Sequence, residues 1–311
     1  MQPYSLVLHG FENRDGGLPG ALVRDLLDAV DDGAKGAVRL RFEGRSRAKG
    51  GFAPGWVNDA ATFQVVGLLP ENAGIELSAP TFLETLPERF AQGDLFRVVN
   101  PDDTALTLLG CSLGEAVRGE ADSDAFDEPL LATFEEFRRV FRHGVQSLEI
   151  RNGRPGSTPL VVTRQGIQTV HRLKSSTPRP RRVRLAGKLD AIRHSDRAFT
   201  LVIESGAQIR GVLIEGEPED LAGHFGRTTI VSGTAQFRPS GTLLRVEADH
   251  LERGTDKDLA RWSAVPAPLD PQPENRRSWQ PQHRNGLASI VGAWPGDEGD
   301  EEFFRMLEER A

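Results

Sequence analysis

VRLAGKLDAI at residues 183–192 is followed by FTLVI at 199–203, QIRGVL at 208–213, TTIVSGTAQF at 228–237 and LLRVEADHL at 243–251. Each run is short, rich in β-branched or apolar residues, and bounded by turn signals such as His194-Ser195-Asp196, Ser205-Gly206 and Pro239-Ser240-Gly241, which is the pattern of β-strands. Residues 217–224 are the one helical interruption. Three strands, a short helix and two more strands is the order of a five-stranded OB-like antiparallel β-barrel, a partly open Greek key. Gly187, Gly211 and Gly233 fall inside strands, where such a barrel needs bulges or tight bends. Alternation places Phe199 with Leu201 and Ile203, facing the core.

Upstream, residues 1–171 read as a mixed α/β domain, so the whole chain is expected to be α+β. Residues 19–32 carry Leu22, Leu26, Leu27 and Val30 on one face, with Pro19 in the first turn and Gly33 after the end, and predict a helix. Period-two alternation at 38–43, 63–66 and 75–77 predicts strands with one buried face. Phe134, Phe137, Val140 and Phe141 predict a helix over 133–143, and 148–150 a strand. Downstream of this domain the reading divides the chain into a basic connector at 172–182, the barrel at 183–262, a Pro-rich linker at 263–285 and an acidic amphipathic segment at 286–311. The linker holds Pro266, Pro268, Pro271, Pro273 and Pro281 with few apolar residues, which predicts an extended, largely unpacked stretch.

A length of 311 residues allows about two domains, because single cores stop growing near ~250 residues. The formal charge of −7 is unevenly placed. From Trp294 to the end there are seven acids and two bases, which leaves −2 for everything before. Between Arg172 and Arg184, by contrast, Arg172, Lys174, Arg179, Arg181, Arg182 and Arg184 occur without an acid. Cys111 is the single cysteine, so no internal disulfide can form. The start MQPYSL lacks the basic and apolar regions of a signal peptide, and no run approaches the ~18 apolar residues of a membrane span. A cytoplasmic protein is the expectation.

Gly110-Cys111-Ser112-Leu113-Gly114 fits the G-x-S-x-G nucleophile elbow and follows a strand-like 104–109, which would make Ser112 a hydrolase nucleophile. That chemistry needs a parallel sheet around the serine, whereas one helix and an antiparallel barrel follow. A glycine-rich turn is the preferred reading. Glu120, Asp122, Asp124, Asp127 and Glu128 do not follow the order of an EF-hand and are expected to form a solvated charged loop. Neither zinc-ligand spacing nor a Walker or dinucleotide glycine motif is present; no metal, no cofactor and no catalytic residue is expected.

Nucleic-acid binding is the alternative. OB barrels bind single strands through basic grooves and stacked aromatics, and the basic run Arg179, Arg181, Arg182, Arg184 leads into the first barrel strand. Phe199, Phe225 and Phe237 are the barrel's aromatics. Arg45, Arg47, Lys49, Phe52 and Trp56 form a second basic-plus-aromatic stretch. Solvated linkers are the competing reading of both.

The end of the chain reads GAWPGDEGDEEF at residues 292–303. It resembles the G-x-W-P-G-D-E-x-D-E-E ending of bacterial proteins and small antitoxin-like proteins that accompany PIN-domain ribonuclease toxins. The likeness covers about a dozen residues and implies a toxin-binding C-terminal segment, with a PIN-domain ribonuclease as the protein partner. The residues suit that role. Trp294 is a large amphipathic anchor, Pro295-Gly296 turns the chain, and Asp297 can cap a helix carrying Phe303, Phe304, Met306 and Leu307 toward a groove. Arg305 and Arg310 could pair with the nuclease's carboxylates. At about eleven residues such a helix is marginal without a partner. In the intramolecular alternative the tail folds back onto the barrel. The expectation is thus a non-enzymatic antitoxin-like protein, with a single-strand binder as alternative and a Ser112 hydrolase as third.

Overall fold

The computed structural model describes residues 1–11, 17–47, 54–69, 73–91, 99–154, 156–193, 197–216 and 218–269, all within one compact unit. In chain order the first half comprises β1 (Gln2–His9), α1 (Gly20–Glu43), α2 (Gly55–Ala61), β2 (Gln64–Leu68), β3 (Gly74–Ala79), α3 (Phe82–Thr85), α4 (Pro87–Ala91), α5 (Ala105–Arg118) and α6 (Glu128–Phe134). A 3₁₀ helix (Glu135–His143), β4 (Ser147–Asn152), β5 (Leu160–Thr163) and α7 (Arg164–Ser176) complete it. The second half comprises β6 (Arg181–Arg193), β7 (Ala198–Val202), β8 (Gln208–Leu213), α8 (Pro218–Ala222), β9 (Thr228–Phe237), β10 (Leu243–Arg253) and α9 (Asp256–Trp262). The chain is mixed α+β, as expected.

The first five strands form one sheet in the order β2-β3-β1-β4-β5, with every neighbouring pair antiparallel. β1 is its centre. Alternate residues Tyr4, Leu6 and Leu8, with Ile75, Leu77 and Ala79 of β3 and Leu148 and Ile150 of β4, join the same buried core as the helices, the half-buried face that period two predicts. The Tyr4 hydroxyl lies 2.7 Å from both Thr104 Oγ1 and Thr107 Oγ1, tying the central strand to the start of α5.

Three local expectations for this half change. Residues 38–43 are helical, because α1 continues through them: Leu22, Leu26, Ala29, Val30, Gly33, Ala34, Ala37 and Val38 make one buried stripe at helical spacing, and its packing outweighs the short alternation. Gly33 is therefore interior rather than terminal. A Cβ there would sit 2.8 Å from Leu109 Cδ1 of α5, so the glycine permits close helix approach; the helix ends instead at Gly44, whose φ of +70° is left-handed. The predicted helix 133–143 is α6 passing into nine residues of 3₁₀ helix. β2 is an edge strand whose Val65, Val66 and Leu68 are all exposed, so the expected buried face is missing there.

The barrel closes in the order β6-β7-β8-β10-β9 and back to β6. Four seams are antiparallel and one, β8 with β10, is parallel, which corrects the all-antiparallel expectation. This order is compatible with an OB-like fold. Leu185, Leu189, Phe199, Leu201, Val231 and Val246 fill the interior, with Leu221 of α8 among them.

The basic connector 172–182 is not a linker: Arg172 to Ser176 finish α7, and Arg181 and Arg182 begin β6. Within 183–262 the barrel strands are followed by the helix α9, which ends at Trp262. The first linker residues also pack back, with Pro266 buried and the Ala267 carbonyl accepting from Arg181 at 2.8 Å. The remainder of the linker lies outside the described residues.

Candidate functional site

Trp294, Pro295, Asp297, Phe303, Phe304, Arg305, Met306, Leu307 and Arg310 lie outside the described residues. Those of the nucleic-acid reading are placed. Arg182 and Arg184 alternate outward on β6, opposite Thr234 and Ser232 of β9. Because those β9 residues are small, both guanidinium groups reach across to β10, where Arg182 pairs with Asp249 and Arg184 Nη2 donates to Glu252 Oε2 at 3.0 Å. Arg181 donates to the linker carbonyl, and Arg179 is exposed. The basic run is thus largely answered from within the barrel.

The aromatics divide in the same way. Phe199 and Phe237 are buried inside, whereas Phe225 is 58 % exposed, at a bridge to Leu189 of β6. Arg227 and Arg253 are close enough to help burial hold the neighbouring His224 below the ordinary imidazole range. In the second basic-plus-aromatic stretch, Lys49 and Phe52 are outside the described residues. Trp56 is not a free platform: the Arg89 guanidinium lies 4.1 Å over its ring and Phe42 stands edge-on at 5.7 Å.

Ser112 is in the middle of α5 and buried. The strand-like 104–109 and the glycine-rich turn are both overturned, for a physical reason. Thr104 caps the helix by accepting from the Thr107 amide at 3.2 Å, and Ala105, Leu106, Leu109, Leu113 and Ala116 supply a continuous helical stripe, so neither glycine breaks it. No elbow exposes the hydroxyl. Burial pushes the adjacent Cys111 thiol up, away from thiolate chemistry. Nothing lies within 4 Å of a Cβ built on Gly110; Gly110→Ala is therefore expected to stabilise the chain by about 0.5–1 kcal/mol through helix propensity, measured by urea denaturation.

The acidic segment 119–128 is the largest departure from expectation. It is a seam rather than a solvated loop. Asp122 accepts from the Thr242 hydroxyl at 3.1 Å, Asp124 accepts from both Arg210 and Arg238, and the Ser240 amide donates to the Ala121 carbonyl at 3.3 Å. Asp127 is 4 % exposed. Its carboxylate takes Arg245 Nη2 at 2.8 Å, the Ser46 amide at 3.1 Å and the Ser46 hydroxyl, and it caps α6 through the Leu130 amide at 3.2 Å. Burial raises the Asp127 carboxyl, but the Arg245 charge and these donors outweigh it and hold the group below the usual carboxylate range. Asp124 is lowered by the same contest against burial, here through Arg238 and Arg210. Val212 of β8, packed under Gly44, and Arg210 put the outer face of β8 against the α/β half. The strand alternation that sets Arg245 outward was readable; its acid partner over a hundred residues earlier was not.

Among the described residues, no three acid, His or Cys side chains converge where a metal could sit, and no helix is long and apolar enough to cross a membrane. No family model matches the chain, and neither does any curated protein or solved structure.

Proposed function

We propose that the chain is a non-enzymatic binding protein that neutralises a PIN-type ribonuclease through residues 286–311. The observation that carries this reading is the string at 292–303, together with the character of its residues: an indole, a Pro-Gly pair, and a run of acids leading into an amphipathic pattern whose helical reading is too short to be stable alone. On the partner, Phe303, Phe304, Met306 and Leu307 fill an apolar groove. Arg305 or Arg310 meets the carboxylates that hold the nuclease metal, while the tail's acids face the basic rim that would otherwise take RNA. The folded part lends support in one respect. Arg182, Arg184, Arg210, Arg238 and Arg245, on the barrel strands or their ends, are already matched by acids, so these five cations do not compete for the tail's carboxylates.

Pulling down a PIN ribonuclease with the intact chain and with a chain ending at Pro281 tests the proposal. The intact chain is expected to retain the nuclease and silence its RNA cleavage, and the shortened one to lose at least about 100-fold in affinity, the scale of a lost hot-spot cluster. Equal recovery by both chains overturns it.

A second reading, single-stranded nucleic-acid binding by an OB-like barrel, is favoured by one observation: the exposed Phe225 follows His224, on which the charges of Arg227 and Arg253 act, so an exposed ring and two cations lie in one neighbourhood. Salt-sensitive recovery of nucleic acid by both chains in the same experiment is the outcome that would favour it.

A further inference from the structure

The 3₁₀ helix and α7 face one another across an open cleft of about 620 Å³. Two different helical registers build its walls. In a 3₁₀ helix residues three apart eclipse, and Glu135, Arg138, Phe141 and the following Gly144 line one side. From α7 come Arg164, Ile167, Gln168 and His171, the i, i+3, i+4, i+7 face of an α-helix. A nine-residue 3₁₀ run is itself unusual; continued as an α-helix from α6, the same sequence would not align Glu135, Arg138, Phe141 and Gly144 in one row.

The floor is apolar and fixed. Phe141 and Ile167 are 2 % and 6 % exposed and belong to the main core. Around them the charge is cationic. The carboxylate on the lining, Glu135, is already engaged, accepting from His171 Nδ1 at 2.6 Å and Lys174 Nζ at 2.8 Å. Arg164 is oriented by Nη2 donating to the Phe141 carbonyl at 2.9 Å, which leaves its remaining N–H groups for a ligand. Arg142, also on the lining, meets no carboxylate among the described residues. Arg138 stands 3.5 Å from Glu136, whose closer partner is Arg139 at 2.7 Å.

We propose that this cleft binds a small organic phosphate, its aryl or nucleoside-sized body over Phe141 and Ile167 and its dianionic head held by Arg138, Arg142 and Arg164. Three guanidinium groups around one cavity suit a dianion with several acceptor oxygens better than a carboxylate, and an apolar floor with a few convergent polar groups is the usual build of a ligand site. The alternative is that the arginine stems merely lie along apolar surface with their heads in water, and the two are separable.

Titration calorimetry on the full chain, with phenyl phosphate, inorganic phosphate and benzyl alcohol as probes, provides the test. Phenyl phosphate is expected to bind saturably with Kd on the order of 10⁻⁴ M, with inorganic phosphate and benzyl alcohol each about tenfold or more weaker, because each probe lacks one half of the interaction. Arg142→Glu, an exposed position with no ion-pair partner among the described residues, should keep the melting temperature and weaken phenyl phosphate at least about 30-fold by reversing one charge. Arg118→Glu, on α5, should leave binding unchanged. Absence of saturable binding, inorganic phosphate binding as tightly as phenyl phosphate, or equal affinity in the Arg142 and Arg118 variants would each overturn the proposal.

Discussion

Arg245→Ala is expected to destabilise the folded chain by about 3–5 kcal/mol, the usual consequence of removing one partner from a buried ion pair. The reason is the position of Asp127. Both side chains are under a tenth exposed, so cutting the guanidinium away leaves a buried carboxylate without its counter-charge. The Ser46 amide and hydroxyl still donate to the carboxylate, but they supply no charge. A companion variant separates the lost pair from the lost contact area. Adding Asp127→Ser to Arg245→Ala keeps a cap for the Leu130 amide while removing the stranded charge, so the double variant should recover about 1–2 kcal/mol over Arg245→Ala alone. A double variant no more stable than the single one would mean that the carboxylate is not the source of the loss.

The same pair fixes a pH dependence. In the native chain the Asp127 carboxyl titrates below its unfolded value, so the folded state binds fewer protons. That stabilisation is fully present above about pH 4, the unfolded carboxylate range, and is lost as pH falls from there through the folded value. Without Arg245 the burial that opposes ionisation is unopposed by charge, and the folded carboxyl should titrate high instead. The variant would then gain relative stability as pH falls, so the gap between the two proteins should narrow between about pH 6 and pH 4. Urea midpoints across that range measure it.

What could be read from sequence divides along the same line. The five barrel strands were legible because each alternates between an interior of Leu185, Leu189, Leu201 and Val246 and an outer polar face, with turn residues between; local pattern and fold agree there. Residues 38–43 misled because Val38-Arg39-Leu40-Arg41-Phe42 satisfies period two over a few residues while a longer helical stripe runs through it, and 104–109 because a short run of Thr and Leu resembles a strand although it opens a capped helix. Only packing against α5 and α6 chooses between the periods. β1 went unread although it is the centre of its sheet, since QPYSLVLH carries a proline and lacks a clean turn before it. The seam lay furthest from view. Its acids were conspicuous as a run, yet their partners Arg210, Arg238 and Arg245 stand on three different barrel strands or their ends, 86 to 118 residues away, and nothing but the closed topology gathers them. For the same reason the cleft beside Phe141 was invisible: it depends on a 3₁₀ register that an α-helical reading of 133–143 replaces with a different face.

Closure of that barrel rests on Gly233, and Gly233→Ala is expected to lower stability by about 3 kcal/mol, at the upper end for overpacking. The residue lies on β9 between Val183 of β6 and Ala248 of β10, next to the register shift that separates Ala248 from His250. A methyl group there would overlap the Glu247 carbonyl oxygen and sit 2.8 Å from Ala248 Cα. Both obstacles are backbone, so relief requires prising β10 away from β9, which breaks ladder hydrogen bonds. Gly211→Ala provides the contrast. The added methyl would run into the ring of Phe199, a side chain that can be made smaller, so Phe199→Leu should rescue Gly211→Ala by about 1–2 kcal/mol. No reduction of a single side chain should rescue Gly233→Ala. Thermal denaturation resolves the difference, since 3 kcal/mol corresponds to a fall of about 6–12 °C in Tm for a folded unit of this size. If Gly233→Ala melts with the native chain, β9 and β10 are not packed as tightly as their shared register requires, and the closed barrel would have to be replaced by an open sheet.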